Sequence, residues 1–278
     1  MASQPSYDDI RAETLVIPNA KPKVRLGRWP TKSKSLFEDK KDAQESLDDD
    51  ARVINDLQDA LFAEQKQSLL VVLQGIDTSG KDGTTKSVFQ YTSPLGVRVH
   101  PFGKPTDIEL AHDYLWRVHQ LAPRKGHIAV FNRSHYEDVL VVKVRNLAPK
   151  DDIEKRYDQI NAFEKHLVEN GTRVLKIMLH VSKEEQGVRL RERLEVAQKR
   201  WKFNPSDLED RKLWDKYQSA YEVMLQRCST TWAPWHVVAA DSRTRRDAVA
   251  ARLVRAELEA MKPDYPDPGY RLDQYPFD

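Results

Sequence analysis

The sequence predicts an α/β fold with a five-stranded parallel sheet, helices on both faces of the sheet and a helical lid. Three observations support this prediction. Apolar runs of strand length alternate with helical stretches, a glycine-containing loop joins the first of these strands to a helix, and a strongly charged helical hairpin precedes the last strand. Alternating strands and helices are typical of a parallel sheet that is covered on both faces.

The predicted elements follow one another in a regular order. Residues 1–67 form an N-terminal arm, extended over residues 1–40, and a helix over residues 42–67. Residues 68–262 form the core, with the lid inserted at 183–228, and 263–278 form a surface tail. Strands are predicted at residues 68–74, 97–100, 127–131, 173–181 and 236–240, and helices at residues 82–91, 108–120, 151–169, 182–200, 208–227 and 247–261.

Composition limits the classes of protein that the chain can represent. It has 278 residues, and its 45 Lys and Arg nearly balance its 43 Asp and Glu. That balance argues against a general nucleic-acid coat protein, so we expect any basic site to be local. The single cysteine, Cys228, excludes a disulfide within the chain and fits a reducing compartment. No signal sequence or membrane-spanning run is apparent, so we predict a soluble cytoplasmic protein without a membrane partner.

Residues 75–81 read Gly-Ile-Asp-Thr-Ser-Gly-Lys and fit the Gly-x4-Gly-Lys part of a phosphate-binding loop. A buried strand precedes them and a helix follows, as such a loop requires. Glycine lets the backbone turn its N–H groups inward, the helix adds its positive dipole end, and Lys81 would neutralise phosphate oxygens. The usual Ser or Thr after the lysine is replaced by Asp82, so Thr84 or Thr85 would supply the hydroxyl. The alternative is an ordinary glycine-containing turn.

Asp77 is unexpected inside this loop because a carboxylate repels phosphate. Its presence makes sense if it binds Mg²⁺ or aligns a phosphate acceptor. On the alternative interpretation, Asp77 is only a turn residue.

Polar residues also follow the strand at 127–131, where residues 132–138 read Asn-Arg-Ser-His-Tyr-Glu-Asp. Ligands of open α/β sheets bind at the carboxyl ends of the strands, so we expect these side chains opposite the phosphate loop. Arg133 could bind a transferring phosphoryl group. Glu137 and Asp138 could hold a metal or orient an acceptor. The alternative is the start of a helix with an acidic first turn.

Two other cations are candidate phosphate contacts. Lys104 follows the second predicted strand, and Arg117 lies on a predicted amphipathic helix. Each has an equally ordinary alternative as a solvated surface cation.

The predicted lid carries six basic residues against two acidic ones between residues 187 and 202. At helical spacing, Arg189, Arg193 and Arg200 share one face, beside an apolar stripe. We predict that such a helix closes over an extended anion. A solvated charged face and an RNA-binding face are the alternatives. The stripe consists of Leu190, Leu194, Ala197 and Trp201.

Three strings together resemble the polyphosphate kinase 2 family. They are residues 75–83, with Gly75, Asp77, Gly80, Lys81 and Gly83; residues 132–140, Asn-Arg-Ser-His-Tyr-Glu-Asp-Val-Leu; and residues 200–204, Arg-Trp-Lys-Phe-Asn, with Asp207. The resemblance runs from about Lys21 to Met261. It implies a three-layer α/β/α P-loop kinase core with a helical lid, Mg²⁺-dependent phosphate transfer between inorganic polyphosphate and a nucleotide, and assembly into dimers or tetramers.

The resemblance also implies roles for single residues. Asp77 would bind Mg²⁺ and the acceptor phosphate, and Lys81 and Arg133 would bind phosphates at the transfer point. Asn132 and Glu137 complete the catalytic set. These two residues resemble the subgroup called class III, which accepts both nucleoside monophosphates and diphosphates, so AMP and ADP are joint candidate acceptors. The nucleotide and phosphate contacts would be Gly80, Asp82, Gly83, Thr84, Lys104 and Arg117, and the polyphosphate-binding residues of the lid would be Arg189, Arg193, Lys199 and Lys202.

The chain departs from the family pattern at three places. Many members have Asp where Asn132 stands and Asn where Glu137 stands. Val196 and Ala197 replace an acidic residue and a proline in the lid. Ser242 and Arg243 replace an Asp-Lys pair, so no role is transferred to them. Two other functions stay open: an ATP-dependent nucleotide kinase, and a non-catalytic nucleotide- or RNA-binding protein.

Overall fold

The computed structural model describes residues 4–19, 23–33 and 36–275. One six-stranded sheet forms its centre, in the order β1-β6-β5-β2-β4-β3, and all neighbouring strands are parallel except β1 and β6. Every residue of β2 is buried, as expected for a central strand of a parallel sheet. The strands are β1 (Leu15–Val16), β2 (Ser68–Gln74), β3 (Val97–Pro101), β4 (Ile128–Asn132), β5 (Thr172–His180) and β6 (Trp235–Ala239).

Helices cover both faces of this sheet. The helix α11 packs with α2 and α3 on one face, while α7 packs on β5 from the other face and is joined there by α10. The predicted layered α/β fold is therefore confirmed. The helices are α1 (Tyr7–Thr14), α2 (Lys40–Glu64), α3 (Lys81–Val88), α4 (Asp107–Leu110), α5 (Trp116–His119), α6 (Val141–Val144), α7 (Lys150–Glu169), α8 (Lys183–Glu195), α9 (Ser206–Lys212), α10 (Trp214–Cys228) and α11 (Arg243–Met261). In the described ranges, no helix combines the length and the apolar character that crossing a membrane requires.

The N-terminal segment differs from the extended arm that the sequence predicts. Residues 7–14 form α1, which begins with a capping box between Ser6 and Asp9. The two-residue strand β1 follows it and adds a sixth, antiparallel strand to the predicted five. A strand of two residues is too short for periodicity to reveal. Of the predicted segments, residues 1–3, 20–22 and 34–35 of the arm and 276–278 of the tail lie outside the described residues, as does Lys21, where the family resemblance begins.

Three predicted helices are wrong in their extent. The helix expected at residues 108–120 is two short helices, because the Asp113 side chain accepts from Leu115 N and forms a turn between them. The helix expected at 182–200 ends at Glu195 and is followed by a 3₁₀ helix, Ala197–Lys202. The helix expected at 208–227 is divided into α9 and α10 at Leu213.

A buried polar cluster connects the sheet to the turn after β4. Lys176 Nζ on β5 donates to Glu164 Oε2 on α7 over 2.5 Å and to Tyr136 Oη over 2.9 Å. Tyr136 Oη in turn donates to Glu164 Oε1 over 2.7 Å, and His135 Nε2 lies 3.3 Å from the same oxygen. All four side chains are fully buried. The cluster therefore fixes residues 135 and 136, which belong to the segment 132–138 that the sequence predicts to lie opposite the phosphate loop.

Candidate functional site

The phosphate-binding loop lies between β2 and α3, at the carboxyl edge of the sheet. Gly75 and Gly80 have φ angles of +147° and +110°, which the absence of a side chain permits. Thr78 has a φ of +66°, which is uncommon for a residue with a side chain. Because β2 lies between β4 and β5, the loop opens at the point in the sheet where ligands of α/β proteins bind.

Lys81 is buried at the base of this loop. Its Nζ donates to Gly75 O over 2.6 Å and lies 3.4 Å from Ile76 O. Burial, aided by the positive charge of Arg133, lowers the pKa of Lys81 to about 8. The ammonium therefore keeps its proton at neutral pH but loses it more easily than an exposed lysine would, and an anion beside it would stabilise its charged form.

Arg133 and Asp77 form an ion pair across the opening of the loop. Arg133 has a left-handed φ of +61°, and its Nη1 lies 3.9 Å from Glu137 Oε2. Burial opposes ionisation of Asp77, but Arg133, Lys81 and Arg193 outweigh it and hold the pKa of this carboxyl below its usual value. Burial raises the pKa of Glu137. The two carboxyl groups beside Arg133 thus differ in how readily they ionise.

Asn132, Asp82 and Lys202 form a chain of contacts from β4 to the lid. The side-chain amide of Asn132 donates to Asp82 Oδ1 over 2.7 Å, and Lys202 Nζ donates to Asp82 Oδ2 over 3.1 Å. Asp82 replaces the usual hydroxyl residue of the loop pattern. It therefore links the loop to the lid from the first turn of α3.

Two other lid cations that line the cleft are also paired with carboxylates. Arg193 Nη1 donates to Asp207 Oδ2 over 2.8 Å, and Lys199 forms an ion pair with Glu192. Burial and the nearby Asp77 raise the pKa of Asp207 to about 6. An anion that enters the site would compete with these carboxylates for the same cations.

These residues surround a cleft of about 580 Å³ between the phosphate loop and the lid. Eight basic and four acidic side chains line it, so the described lining carries an excess of positive charge. The structure brings together most of the residues that the sequence and the resemblance single out: Asp77, Gly80, Lys81, Asp82, Gly83, Asn132, Arg133, Arg189, Arg193, Lys199 and Lys202.

Four of the residues to which the resemblance gives a role lie elsewhere. Thr84 is buried, and its hydroxyl donates to Asp247 Oδ1 over 2.7 Å. Lys104 is exposed outside the cleft lining, whereas Arg117 is buried and donates to Gly103 O over 3.1 Å. Glu137 lines a separate cavity of about 30 Å³ behind the Asp77–Arg133 pair, with Asp210, Tyr217, Tyr221 and other residues.

Sequence reasoning missed Arg243 and Arg246, which both line the cleft from α11. Arg246 is buried, and its guanidinium packs against Gly80 and Gly83. Both arginines follow β6, so the rule that places ligands at the carboxyl ends of strands could have found them. Glu192, Trp201, Asn204 and Asp207 also line the cleft, without a predicted role.

The predicted apolar stripe of the lid is wrong. Leu190 is buried, but Leu194 is half-exposed and Trp201 is 78% exposed. The reason is that α8 ends at Glu195, so Arg200 and Trp201 do not continue its faces. Arg200 Nε instead donates to Leu194 O over 2.8 Å at the helix end.

Within the described ranges, no group of three or more His, Cys, Asp or Glu side chains is arranged to hold a metal ion. The carboxylates that face the cleft, among them Asp77 and Asp207, are dispersed among cations. This arrangement does not resemble an all-protein metal cage. It suits a metal that is held by one or two carboxylates and by substrate phosphates, as Mg²⁺ is in phosphoryl-transfer enzymes.

Comparisons with known proteins agree with this geometry. A sequence model of the family described as Polyphosphate kinase 2 matches residues 37–266. A Meiothermus ruber protein named AMP/ADP-polyphosphate phosphotransferase is 49% identical over 247 residues, covering 88% of this chain and 92% of that protein. A Rhodopseudomonas palustris protein named ADP-polyphosphate phosphotransferase is 38% identical over 257 residues, covering 88% of this chain and 89% of that protein. The crystal structure of a polyphosphate kinase 2 from Arthrobacter aurescens TC1 matches with a TM-score of 0.87 at 36% identity, covering 94% of this chain and 95% of that one.

Proposed function

Because the chain belongs to the polyphosphate kinase 2 family, we propose that it transfers phosphate from inorganic polyphosphate to AMP and ADP, giving ADP and ATP. The observation that carries the proposal is the cleft, which is lined by eight basic side chains from the phosphate loop, the turn after β4, the lid and α11. A polyphosphate chain is a long anion with regularly spaced charges, and such a lining suits it. The names of the M. ruber and R. palustris relatives support AMP and ADP as acceptors.

The site residues would act mainly by positioning and by charge neutralisation. The terminal phosphate of the nucleotide is already an anion, so its attack on the end phosphorus of polyphosphate needs no strong base. Lys81 and Arg133, at the base and the opening of the loop, would bind phosphates at the transfer point. Arg193, Lys199 and Lys202 would bind the chain further along the cleft.

Mg²⁺ is the cofactor that we propose for this reaction. Asp77 is the candidate ligand because its carboxyl faces the cleft with a lowered pKa and is therefore ionised. Bound there, Mg²⁺ would neutralise charge on the phosphates. Asp77 would then share its carboxylate between the ion and Arg133. Substituting Asp77→Asn should raise the Mg²⁺ concentration needed for half-maximal rate; an unchanged requirement would rule out Asp77 as a ligand.

Use of both acceptors rests on the class III resemblance of Asn132 and Glu137. A time course with AMP, polyphosphate and Mg²⁺ tests it directly. ADP should form first and ATP second. Formation of ADP alone would contradict the use of both acceptors, although it would still agree with a polyphosphate-dependent AMP kinase.

Lys81→Ala and Arg133→Ala test the site itself. Each removes one cation at the transfer point, and we expect turnover to fall on the order of 10²- to 10³-fold, as when a single electrostatic donor is lost. Lys86→Ala is the matched control, because Lys86 is exposed on the same helix as Lys81. Near-wild-type rates in both site variants would refute the assignment.

The choice of phosphate donor tests the proposed function against the two alternatives that the sequence left open. A conventional nucleotide kinase would use ATP as the donor to AMP and would not respond to polyphosphate. A nucleotide- or RNA-binding protein would bind its ligand without Mg²⁺-dependent turnover. Supplying ATP or polyphosphate as the sole donor, and measuring RNA binding in parallel, distinguishes the three.

We also propose that the protein acts in the cytoplasm as a homo-oligomer. The single cysteine, Cys228, is buried and free, which fits a reducing compartment. Dimers or tetramers are implied by the family resemblance. Cell fractionation tests the location, and light scattering coupled to size exclusion tests the assembly; a monomeric mass would contradict it.

A further inference from the structure

Arg189 has all of its hydrogen-bond donors satisfied within the protein. Nε donates to Glu185 Oε1 over 2.8 Å, and Nη1 donates to Thr78 O over 3.0 Å and to Ser79 O over 3.2 Å. Nη2 donates to the carbonyl oxygens of residues 240 and 241 over 2.6 and 3.0 Å. A guanidinium group has five N–H donors, so these bonds use all of them. The residue is only 5% exposed.

Two of these acceptors belong to the turn of the phosphate loop. In a trans peptide, the C=O and the following N–H point in opposite directions. By binding Ser79 O, Arg189 therefore turns the N–H of Gly80 away from its own guanidinium. Thr78 has the uncommon φ of +66°, a conformation that persists only when its surroundings hold it. The bond from Arg189 to Thr78 O is part of that support.

The beginning of α8 is attached to the loop at a second point. Gln186 Nε2 donates to Asp77 O over 3.2 Å. One turn beyond Arg189, the guanidinium of Arg193 instead contacts other parts of the lid, donating to Asp207 and to Lys202 O. The two arginines lie on the same side of α8, yet one binds the loop backbone and the other lines the lid. The start of α8 thus forms a wall of the phosphate loop.

We propose that Arg189 is a positioning residue, which holds the phosphate loop in its phosphate-binding conformation and makes no direct contact with polyphosphate. To bind polyphosphate, the guanidinium would have to give up its bonds to buried carbonyl oxygens, which is costly. Ser79 O would keep Arg246 Nη1 at 3.3 Å, but Thr78 O would lose the donor that Arg189 supplies. This role differs from the one that the family resemblance implies. The expected effects on kcat and KM rest on the proposed function, whereas the support that Arg189 gives to the loop conformation does not.

The test measures the loop and the reaction separately in Arg189→Lys. Amide hydrogen exchange of the peptide over residues 75–83, without substrate, should become at least about fivefold faster, because the loop opens more often. In steady-state assays kcat should fall roughly tenfold to a hundredfold through misplacement of the loop. The KM for polyphosphate should change by less than about twofold, since no ligand contact is lost. Unchanged exchange, or a tenfold rise in KM with kcat retained, would overturn the proposal.

Arg191→Lys is the matched control, because Arg191 is an exposed cation of the same helix that lines a groove away from the loop. Equal acceleration of exchange in this variant would mean general loosening of α8 and would also overturn the proposal. If Arg189→Lys does not fold, Glu185→Gln replaces it. That variant weakens only the Nε contact and should accelerate exchange to a smaller extent, with KM unchanged. Exchange needs no turnover, so this result stands even if polyphosphate is not the substrate.

Discussion

Asn132 and Asp82 are joined by a hydrogen bond of 2.7 Å, from the side-chain amide at the end of β4 to the carboxylate in the first turn of α3. Burial would raise the pKa of Asp82, but this bond and the one from Lys202 outweigh burial and lower the pKa. The carboxylate is therefore ionised and holds three parts of the site together. Because residue 132 is an amide that donates a hydrogen bond, Asp82 meets no charge repulsion from the end of β4.

Asn132→Asp replaces this donor by a second carboxylate of the same shape. Above pH 7 both carboxylates would be ionised and repel each other, whereas at lower pH they can share a proton. We expect kcat/KM to fall about tenfold at pH 8 and less than about threefold at pH 6, relative to the wild type at the same pH. Full pH profiles of both proteins check this. A ratio that does not vary with pH would show that repulsion is not the cause.

The pKa of Lys81, lowered to about 8 by burial, predicts a pH dependence for the wild-type protein. Only the protonated ammonium attracts phosphate, so kcat/KM for polyphosphate should decline as the pH rises through about 8, and not below it. A bound polyanion favours the charged form, so kcat should decline only at higher pH. In Lys81→Arg the guanidinium stays charged, so the decline of kcat/KM near pH 8 should disappear. A decline at the same pH in Lys81→Arg would mean that another group causes it.

Lys176→Met tests the buried cluster behind residues 135 and 136. It leaves the Glu164 carboxylate in the core without its ammonium partner, and we expect the free energy of unfolding to fall by about 3–5 kcal/mol. Chemical denaturation measures this change. Lys165→Met is the control, because Lys165 is exposed on the same helix as Glu164, in a surface ion pair worth about 0–1 kcal/mol. Adding Glu164→Gln should recover part of the loss; no recovery would contradict the explanation by unpaired charge.

Thr84→Val separates a structural hydroxyl from a ligand. The hydroxyl donates to Asp247, which also accepts from Arg246, so the carboxylate keeps a partner in the variant. We expect a loss of about 1 kcal/mol in the free energy of unfolding and less than about a twofold change in kcat and KM. A thermal or urea unfolding curve and a kinetic assay on the same preparation suffice. A large kinetic effect with unchanged stability would restore Thr84 as a phosphate contact.

The four central strands of the sheet could be predicted because nearly all of their residues are buried. Residues 68–74 form a continuous apolar run between polar ends, and the observed β2 has the same bounds. The loop after it carries its glycines and lysine at fixed spacing, so its position also followed from local sequence. The end of the first lid helix could not be predicted in this way. Val196 takes an extended backbone that ends α8, and no local sequence pattern indicates it.

The partner that each cation contacts could not be predicted. Arg189 and Arg193 are one helical turn apart on α8, and nothing in the sequence distinguishes their roles. Only the folded chain shows that the first faces the carbonyls of residues 78 and 79 while the second faces Asp207. Arg117 likewise looked like a surface cation or a phosphate contact. It is neither exposed nor in the cleft, because the loop containing Gly103 folds over it.

Gly80 and Gly83 both face the guanidinium of Arg246, but they restrict sequence variation differently. A Cβ atom at position 80 would overlap this guanidinium, and the φ of +110° would strain any side chain there. At position 83 a Cβ would come within 3.2 Å of Arg246 Nη2, in an ordinary helical backbone that favours alanine over glycine. A shorter residue at position 246 would therefore leave room for a side chain at position 83, whereas position 80 would keep its unfavourable φ angle. Over evolutionary time, alanine at position 83 should appear together with a smaller residue at 246, while position 80 remains glycine in either background.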